Sequence, residues 1–205
     1  MTDKRRIGIF GGTFSPPHLG HIRSAERFVK ALKLDELIII PAFLPPHKEI
    51  DGEADEGARL EMCRVAFSHI DKARVSDIEI KRGGRSYTYL TLEELYSPDC
   101  ELYLLIGTDM LLSFDTWKNP ERIFELSSVC YVRREEDREL DSVIDGKICE
   151  YKERFGADIV RVDSDALEIS SSELRDMIKR KASLTDYLSS GIISYIEERG
   201  LYSAE

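Results

Sequence analysis

Short apolar runs alternate with stretches of helical periodicity along the whole 205-residue chain, and that alternation leaves few folds open. Apolar runs at 7–10, 37–40, 74–80, 102–106, 129–132 and 159–162 are predicted to be strands. Between them, helices are predicted over 18–34, 60–70, 88–96 and 119–125, with two more at 172–181 and 185–199. The first carries Ile22, Ala25, Phe28, Val29 and Leu32 at helical spacing; the 119–125 helix is expected to use Asn119 as its cap and Pro120 in its first turn. Gly200 stops the last one. The acidic, glycine-bearing stretch 52–57 reads as a solvated loop, and the charge-dense stretch 133–145 as a loop leading into a surface helix. Strands separated by helices from end to end mean βαβ units. The expected fold is therefore α/β: one domain over 1–205, a doubly wound, mostly parallel sheet with a small helical C-terminal part at about 170–205. Such sheets bind ligands at the carboxyl ends of their strands, near the point where strand order reverses.

Composition narrows the partners. The chain holds 39 acidic against 29 basic side chains, a net charge of −10, and shows no basic stripe. A nucleic-acid backbone is thus an unsuitable partner, whereas a small anion can still be held by a few local cations and helix N-termini. No stretch approaches the roughly 20 apolar residues of a membrane span, and the short run after the basic start opens onto glycines, unlike a signal peptide. Cys63, Cys100, Cys130 and Cys149 lie far apart, which suits incidental thiols in a reducing cytoplasm rather than a disulfide framework or zinc knuckle.

The chemistry concentrates where the first strand gives way to the first helix, GGTFSPPHLGH over 11–21. Glycines at such a junction let the backbone approach a phosphate, and the helix N-terminus adds N–H donors and a positive dipole end. The spacing is neither a dinucleotide-binding GxGxxG nor a P-loop. Of four histidines in the chain, His18 and His21 share this turn, three apart on one helical face, with Gly20 clearing the space between. From the residues alone they suit phosphate contact, with a structural role and a metal pair as the alternatives; a metal would need further ligands at a spacing that the cysteines lack.

This segment resembles the HxGH signature of the nucleotidylyltransferase superfamily, in the form carried by bacterial nicotinate-nucleotide adenylyltransferases. The resemblance implies a Rossmann-like fold and adenylyl transfer from ATP to nicotinate mononucleotide. The products are nicotinate adenine dinucleotide and pyrophosphate, and no covalent enzyme intermediate forms. It implies that His18 and His21 bind the ATP phosphates, with Gly11, Gly12, Thr13 and Phe14 contributing to the ATP site. PAFLPPHK at 41–48 is similar to a family segment that closes on the nucleotides, which assigns Lys48 to the phosphates and His47 to the mononucleotide side. ISSSELR at 169–175, which read bare is an ordinary capping arrangement, matches a run in which Ile169, Ser170, Ser171 and Ser172 meet the ATP phosphates and Arg175 neutralises the departing pyrophosphate.

Two further segments bear on the acceptor. GGRSYTYLT at 83–91 resembles a loop whose turn at Ser86, Tyr87 and Thr88 meets the ring substituent of the mononucleotide. IGTDMLLSFDTW at 106–117 resembles a GxD…W run, in which Gly107 and Asp109 serve the nucleotide and Trp117, the only tryptophan, stacks on the pyridine ring. Mg²⁺ is implied as the companion of ATP, with no protein metal site; homo-oligomerisation is left open. One departure is plain: the family usually has aspartate where this chain has Ser15, which can cap the turn but carries no charge. Competing readings are a nucleotide-binding homologue weakened in turnover, marked by Ser15, and a pantetheine-phosphate adenylyltransferase, whose family is shorter and lacks PPHK and the distal tryptophan run. A cytidylyltransferase would carry an arginine-rich signature before its last motif, and none is seen.

Overall fold

Each of the six apolar runs contributes a strand to one sheet. A computed structural model describes residues 4–46, 54–133, 139–163, 167 and 169–203. Its strands are β1 (Arg5–Gly12), β2 (Glu36–Pro41), β3 (Ala73–Val75), β4 (Cys100–Gly107), β5 (Ser127–Val132) and β6 (Ile159–Val162). They pair in the order β3-β2-β1-β4-β5-β6, every pairing parallel. The chain leaves β1 toward β2 and β3 on one side, then returns to lay β4, β5 and β6 on the other. The strand order reverses between β1 and β4, which is where such a sheet opens a crevice.

The helices are α1 (Leu19–Ala31), α2 (Glu56–Phe67), α3 (Ile78–Arg82), α4 (Thr88–Leu95), α5 (Thr108–Leu112), α6 (Pro120–Leu126), α7 (Glu139–Phe155), α8 (Ser171–Lys179) and α9 (Ser190–Arg199). Because side chains alternate across a strand, β4 sends Leu102, Leu104 and Ile106 to one face and Tyr103 and Leu105 to the other. The first group packs with Leu92 of α4, Leu111 of α5, Ile123 of α6 and Tyr151 of α7. The second shares a core with Phe28 of α1, Met62 of α2, Leu174 of α8 and Ile192 of α9. Helices on both faces explain why the strands read as unbroken apolar runs instead of alternating ones. The C-terminal helices thus bury their apolar stripes against the same sheet face as α1 and α2.

Two local expectations are corrected and two details are added. The strand predicted over 74–80 ends at Val75: Ser76 N–H makes a last bond to Ile39 O (2.8 Å), and Asp77 then opens α3. Ser-Asp turn chemistry outweighed the β-branched run. The helix predicted from 185 begins only at Ser190, because residues 184–189 turn so that Tyr187 O is spent on Leu19 N–H (2.8 Å) instead of on helix. Asn119 is the N-cap of α6 with Pro120 in its first turn, as expected, although it is left-handed (φ 52°) and begins the helix with its carbonyl instead of a side-chain bond. The run 106–117 also holds a short helix, α5, and a 3₁₀ turn at Phe114–Thr116 that strand-and-loop reading did not resolve. Parts of the 52–57 and 133–145 stretches fall outside the described residues.

Candidate active site

The turn between β1 and α1 is fixed by its own side chains. His18 sits at the N-cap of α1 in extended conformation, and its backbone N–H donates to His21 Nδ1 (3.2 Å). A main-chain N–H can only donate, so Nδ1 accepts and the neutral His21 ring carries its proton on Nε2. The two imidazoles lie against each other, centroids 3.7 Å apart. Phe14, buried and left-handed (φ 51°), presents its ring edgewise to His21 at 5.1 Å. A Cβ at Gly20 would lie 3.0 Å from His18 Cε1 and Nδ1, so the glycine keeps that ring in place. At Gly12 a Cβ would press on the Phe14 ring at 3.0 Å. Gly11 differs: its Cβ would meet nothing closer than Ile40 O at 4.0 Å, so the protein itself leaves that space open.

That space belongs to a cavity of about 420 Å³ over the carboxyl ends of β1 and β4. Ten of the residues singled out from sequence line it: Gly11, Gly12, Thr13, His21, Ser86, Tyr87, Thr88, Gly107, Asp109 and Trp117. Residues more than a hundred positions apart thus meet at one crevice. His18 lies behind His21, 3% exposed, and Phe14 is core. His47 and Lys48 lie outside the described residues, although Pro45 and Pro46, just before them, line the cavity.

The turn at Ser86 is sewn to the loop after β2. Ser86 N–H donates to Leu44 O (2.9 Å), and Ser86 Oγ accepts from Phe43 N–H (2.9 Å). Below it, Glu79 and Thr91 also line the cavity; Thr91 Oγ1 donates to Glu79 Oε1 (2.6 Å) and accepts from Arg82 Nη2 (2.9 Å). Trp117 lies stacked on Phe114, ring centroids 4.6 Å apart at 22°, which covers one face of the indole while the residue borders the cavity. Asp109 enters from the first turn of α5.

The ISSSELR residues reach the turn rather than the cavity wall. Ser170 caps α8, accepting from Glu173 N–H (3.2 Å), while Glu173 accepts from Ser170 N–H (2.8 Å). Hydrogen bonds from the Ser170 hydroxyl and N–H hold the Glu173 carboxyl below its ordinary value. Ser171 Oγ donates to Pro16 O (3.0 Å); Arg175 donates to Ser15 O (2.8 Å) and to Ser172 Oγ (2.9 Å). Ile169 precedes the cap, packed against the core.

Sequence reading missed Arg59. It is 1% exposed on α2 and donates from Nη1 to Thr13 O (2.9 Å) and Ala42 O (2.6 Å), and from Nη2 to Phe43 O (3.3 Å). One guanidinium thereby joins the turn between β1 and α1 to the loop that follows β2. A signal existed: Arg59, Met62, Cys63 and Ala66 repeat at helical spacing, which puts an arginine on the buried face. Among the described residues no group of three or more His, Cys, Asp or Glu is arranged to hold a metal ion, and no helix is long and apolar enough to cross a membrane. The cysteines are free thiols; burial pushes Cys130 up to about 12 and Cys63 higher still, which makes both unreactive.

Comparison with known proteins decides the family. A family model described as cytidylyltransferase-like matches residues 9–177. A probable nicotinate-nucleotide adenylyltransferase of Clostridium tetani is 35% identical over 200 residues, covering 97% of this chain and 99% of its own. One of Listeria monocytogenes is 33% identical, covering 97% and 98%. The chain belongs to the nicotinate-nucleotide adenylyltransferase family. The fold agrees: the nicotinic acid mononucleotide adenylyltransferase of Plasmodium falciparum complexed with NaAD superimposes with a TM-score of 0.77 over 97% of each chain, at 20% identity. Nearly the full length of each chain takes part, so the C-terminal helices belong to the shared architecture.

Proposed function

We propose that the chain transfers the adenylyl group of ATP to nicotinate mononucleotide, forming nicotinate adenine dinucleotide and pyrophosphate in NAD biosynthesis. The observation that carries the reading is convergence: the HxGH turn, the Ser86–Thr88 turn, Asp109 and Trp117 border one crevice of about 420 Å³ in a chain of this family. A phosphate oxygen of the mononucleotide attacks the α-phosphorus of ATP in line. A new P–O bond forms, the bond to the β-phosphate bridge breaks, and pyrophosphate leaves with the electron pair. No side chain need become covalently attached; the work is positioning and charge stabilisation.

In this reading Gly11, Gly12 and Thr13 bring main-chain groups to the phosphates, and Nε2–H of His21 donates to a phosphate oxygen. His18 sets His21's tautomer through its own N–H and shares the phosphates with it. Lys48 closes over the triphosphate and Arg175 faces the departing pyrophosphate. Ser170, Ser171, Ser172 and Ile169 place the N-terminus of α8 toward the ATP side. Trp117 stacks on the pyridine ring, with Phe114 behind it, while the turn at Ser86, Tyr87 and Thr88 reads the ring carboxylate, with His47 beside it. Mg²⁺ enters only with ATP. Such ions are held chiefly by phosphate oxygens and water, and bound there the ion would offset phosphate charge. The free, largely buried thiols suit a cytoplasmic setting.

The test is pyrophosphate release from ATP with nicotinate and with nicotinamide mononucleotide, side by side. Release with the acid, and markedly less with the amide, is expected. Preference for the amide would sink the acid-specific assignment; ATP binding without release from either would favour a homologue that has lost turnover.

A further inference from the structure

Ser15 interrupts the pattern of the turn, and the structure gives its hydroxyl a particular partner. Ser15 Oγ lies 3.0 Å from the phenol oxygen of Tyr202, 187 positions away, and the two residues are 0% and 7% exposed. The Tyr202 ring belongs to the core that also holds Phe14, Leu174 and Ile192, so its hydroxyl is delivered by a packed side chain. Three more bonds run from the same end of the chain into the same few residues: Arg175 to Ser15 O, Ser171 to Pro16 O, and Leu19 N–H to Tyr187 O. The stretch 15–19 that carries His18 is thus tied to residues 171–202 on both its side chain and its backbone.

We propose that Tyr202 is a positioning residue for the HxGH turn, acting through Ser15. A neutral serine and a buried tyrosine hydroxyl form a latch that sets the path of Pro16, Pro17 and His18, and hence the imidazole pair. A hydrogen bond between two buried hydroxyls is kept at little cost, whereas removal of either oxygen breaks it. Displacing a phosphate-binding group by a fraction of an ångström acts mainly on the chemical step. The latch rests on the adenylyl-transfer reading for its kinetic consequence, but its effect on ATP affinity stands apart from turnover.

Tyr202→Phe, Ser15→Ala and the double variant are compared with wild type. The readouts are kcat, KM for each substrate, ATP affinity by calorimetry without the acceptor, and the thermal midpoint. Each single change is expected to lower kcat roughly ten-fold and weaken ATP several-fold, with KM for the mononucleotide unchanged. The double variant falls no further than the singles, because both remove one bond, and Ser15→Thr, which keeps the hydroxyl, restores most of the rate. Tyr202→Phe with kcat and ATP affinity within two-fold of wild type overturns the latch, as do additive losses in the double variant. Loss of thermal stability alone, with kinetics intact, also overturns it. If Tyr202→Phe does not fold cooperatively, Ser15→Ala decides by the same criteria. If wild type itself releases no pyrophosphate, the adenylyl-transfer reading fails while the ATP affinities still judge the latch.

Discussion

A guanidinium sealed from water persists only where polar atoms receive it, and Arg59 finds three carbonyl oxygens on two segments, Thr13 on one side and Ala42 and Phe43 on the other. Its planar fork serves them from two separate nitrogens, whereas an ammonium would have to reach all three from one. Arg59→Lys keeps the charge and loses the fork. The expected cost is about 2 kcal/mol, a fall of roughly 4–8 °C in thermal midpoint for a chain of this size, with a raised KM for ATP because the turn at Thr13 loosens. A midpoint within a degree of wild type would contradict the role. The position of Arg59 was legible in the spacing 59, 62, 63, 66, but its chemistry was not. Which carbonyls await a buried cation depends on how the two loops turn, and that is a tertiary outcome. The histidine pair was legible because its geometry is local, the N-cap residue of α1 and the third residue of that helix.

Elements were readable where burial and period agree and misread where turn chemistry competes. The central residues of β1, β2 and β4 are apolar because both sheet faces are covered there. By contrast, RVSDIEI keeps strand-like residues on both sides of a Ser-Asp turn, so β3 stops at Val75 and Glu79 arrives in the cavity wall from a helix. The turn before Trp117 offers an element-level test. Burial raises the Asp115 carboxyl, but the Lys147 ammonium (3.3 Å) and the Tyr151 hydroxyl (3.2 Å), both on α7, outweigh that and hold it below its ordinary value. A depressed carboxyl contributes stability above its unfolded value of about 4, and the contribution is lost as pH falls through the folded value. The emission of the single tryptophan is therefore expected to shift as pH is lowered past about 4. Asp115→Asn is expected to show that shifted spectrum already at neutral pH, with a loss of less than about 1 kcal/mol. Wild-type emission from Asp115→Asn across that range would break the link between α7 and Trp117.

At the scale of the whole molecule, the reversal of strand order between β1 and β4 lets distant segments share one crevice. The doubly wound parallel sheet was legible from the alternation of runs, and the sequence motifs named ten of the residues that border the cavity. The resemblance set the start of α8 facing the HxGH turn, but neither the runs nor the motifs indicated the particular bonds from Ser171, Arg175, Tyr187 and Tyr202 that grip it, since these join positions 155 to 187 apart and leave no periodic trace. The central claim is that the imidazoles at this turn stabilise phosphoryl charge during adenylyl transfer. It is tested most directly by the rate of pyrophosphate release from His18→Ala at saturating ATP and nicotinate mononucleotide, on protein shown to melt cooperatively. A fall in kcat of about a hundred-fold or more is expected. A kcat within a few-fold of wild type would contradict the claim.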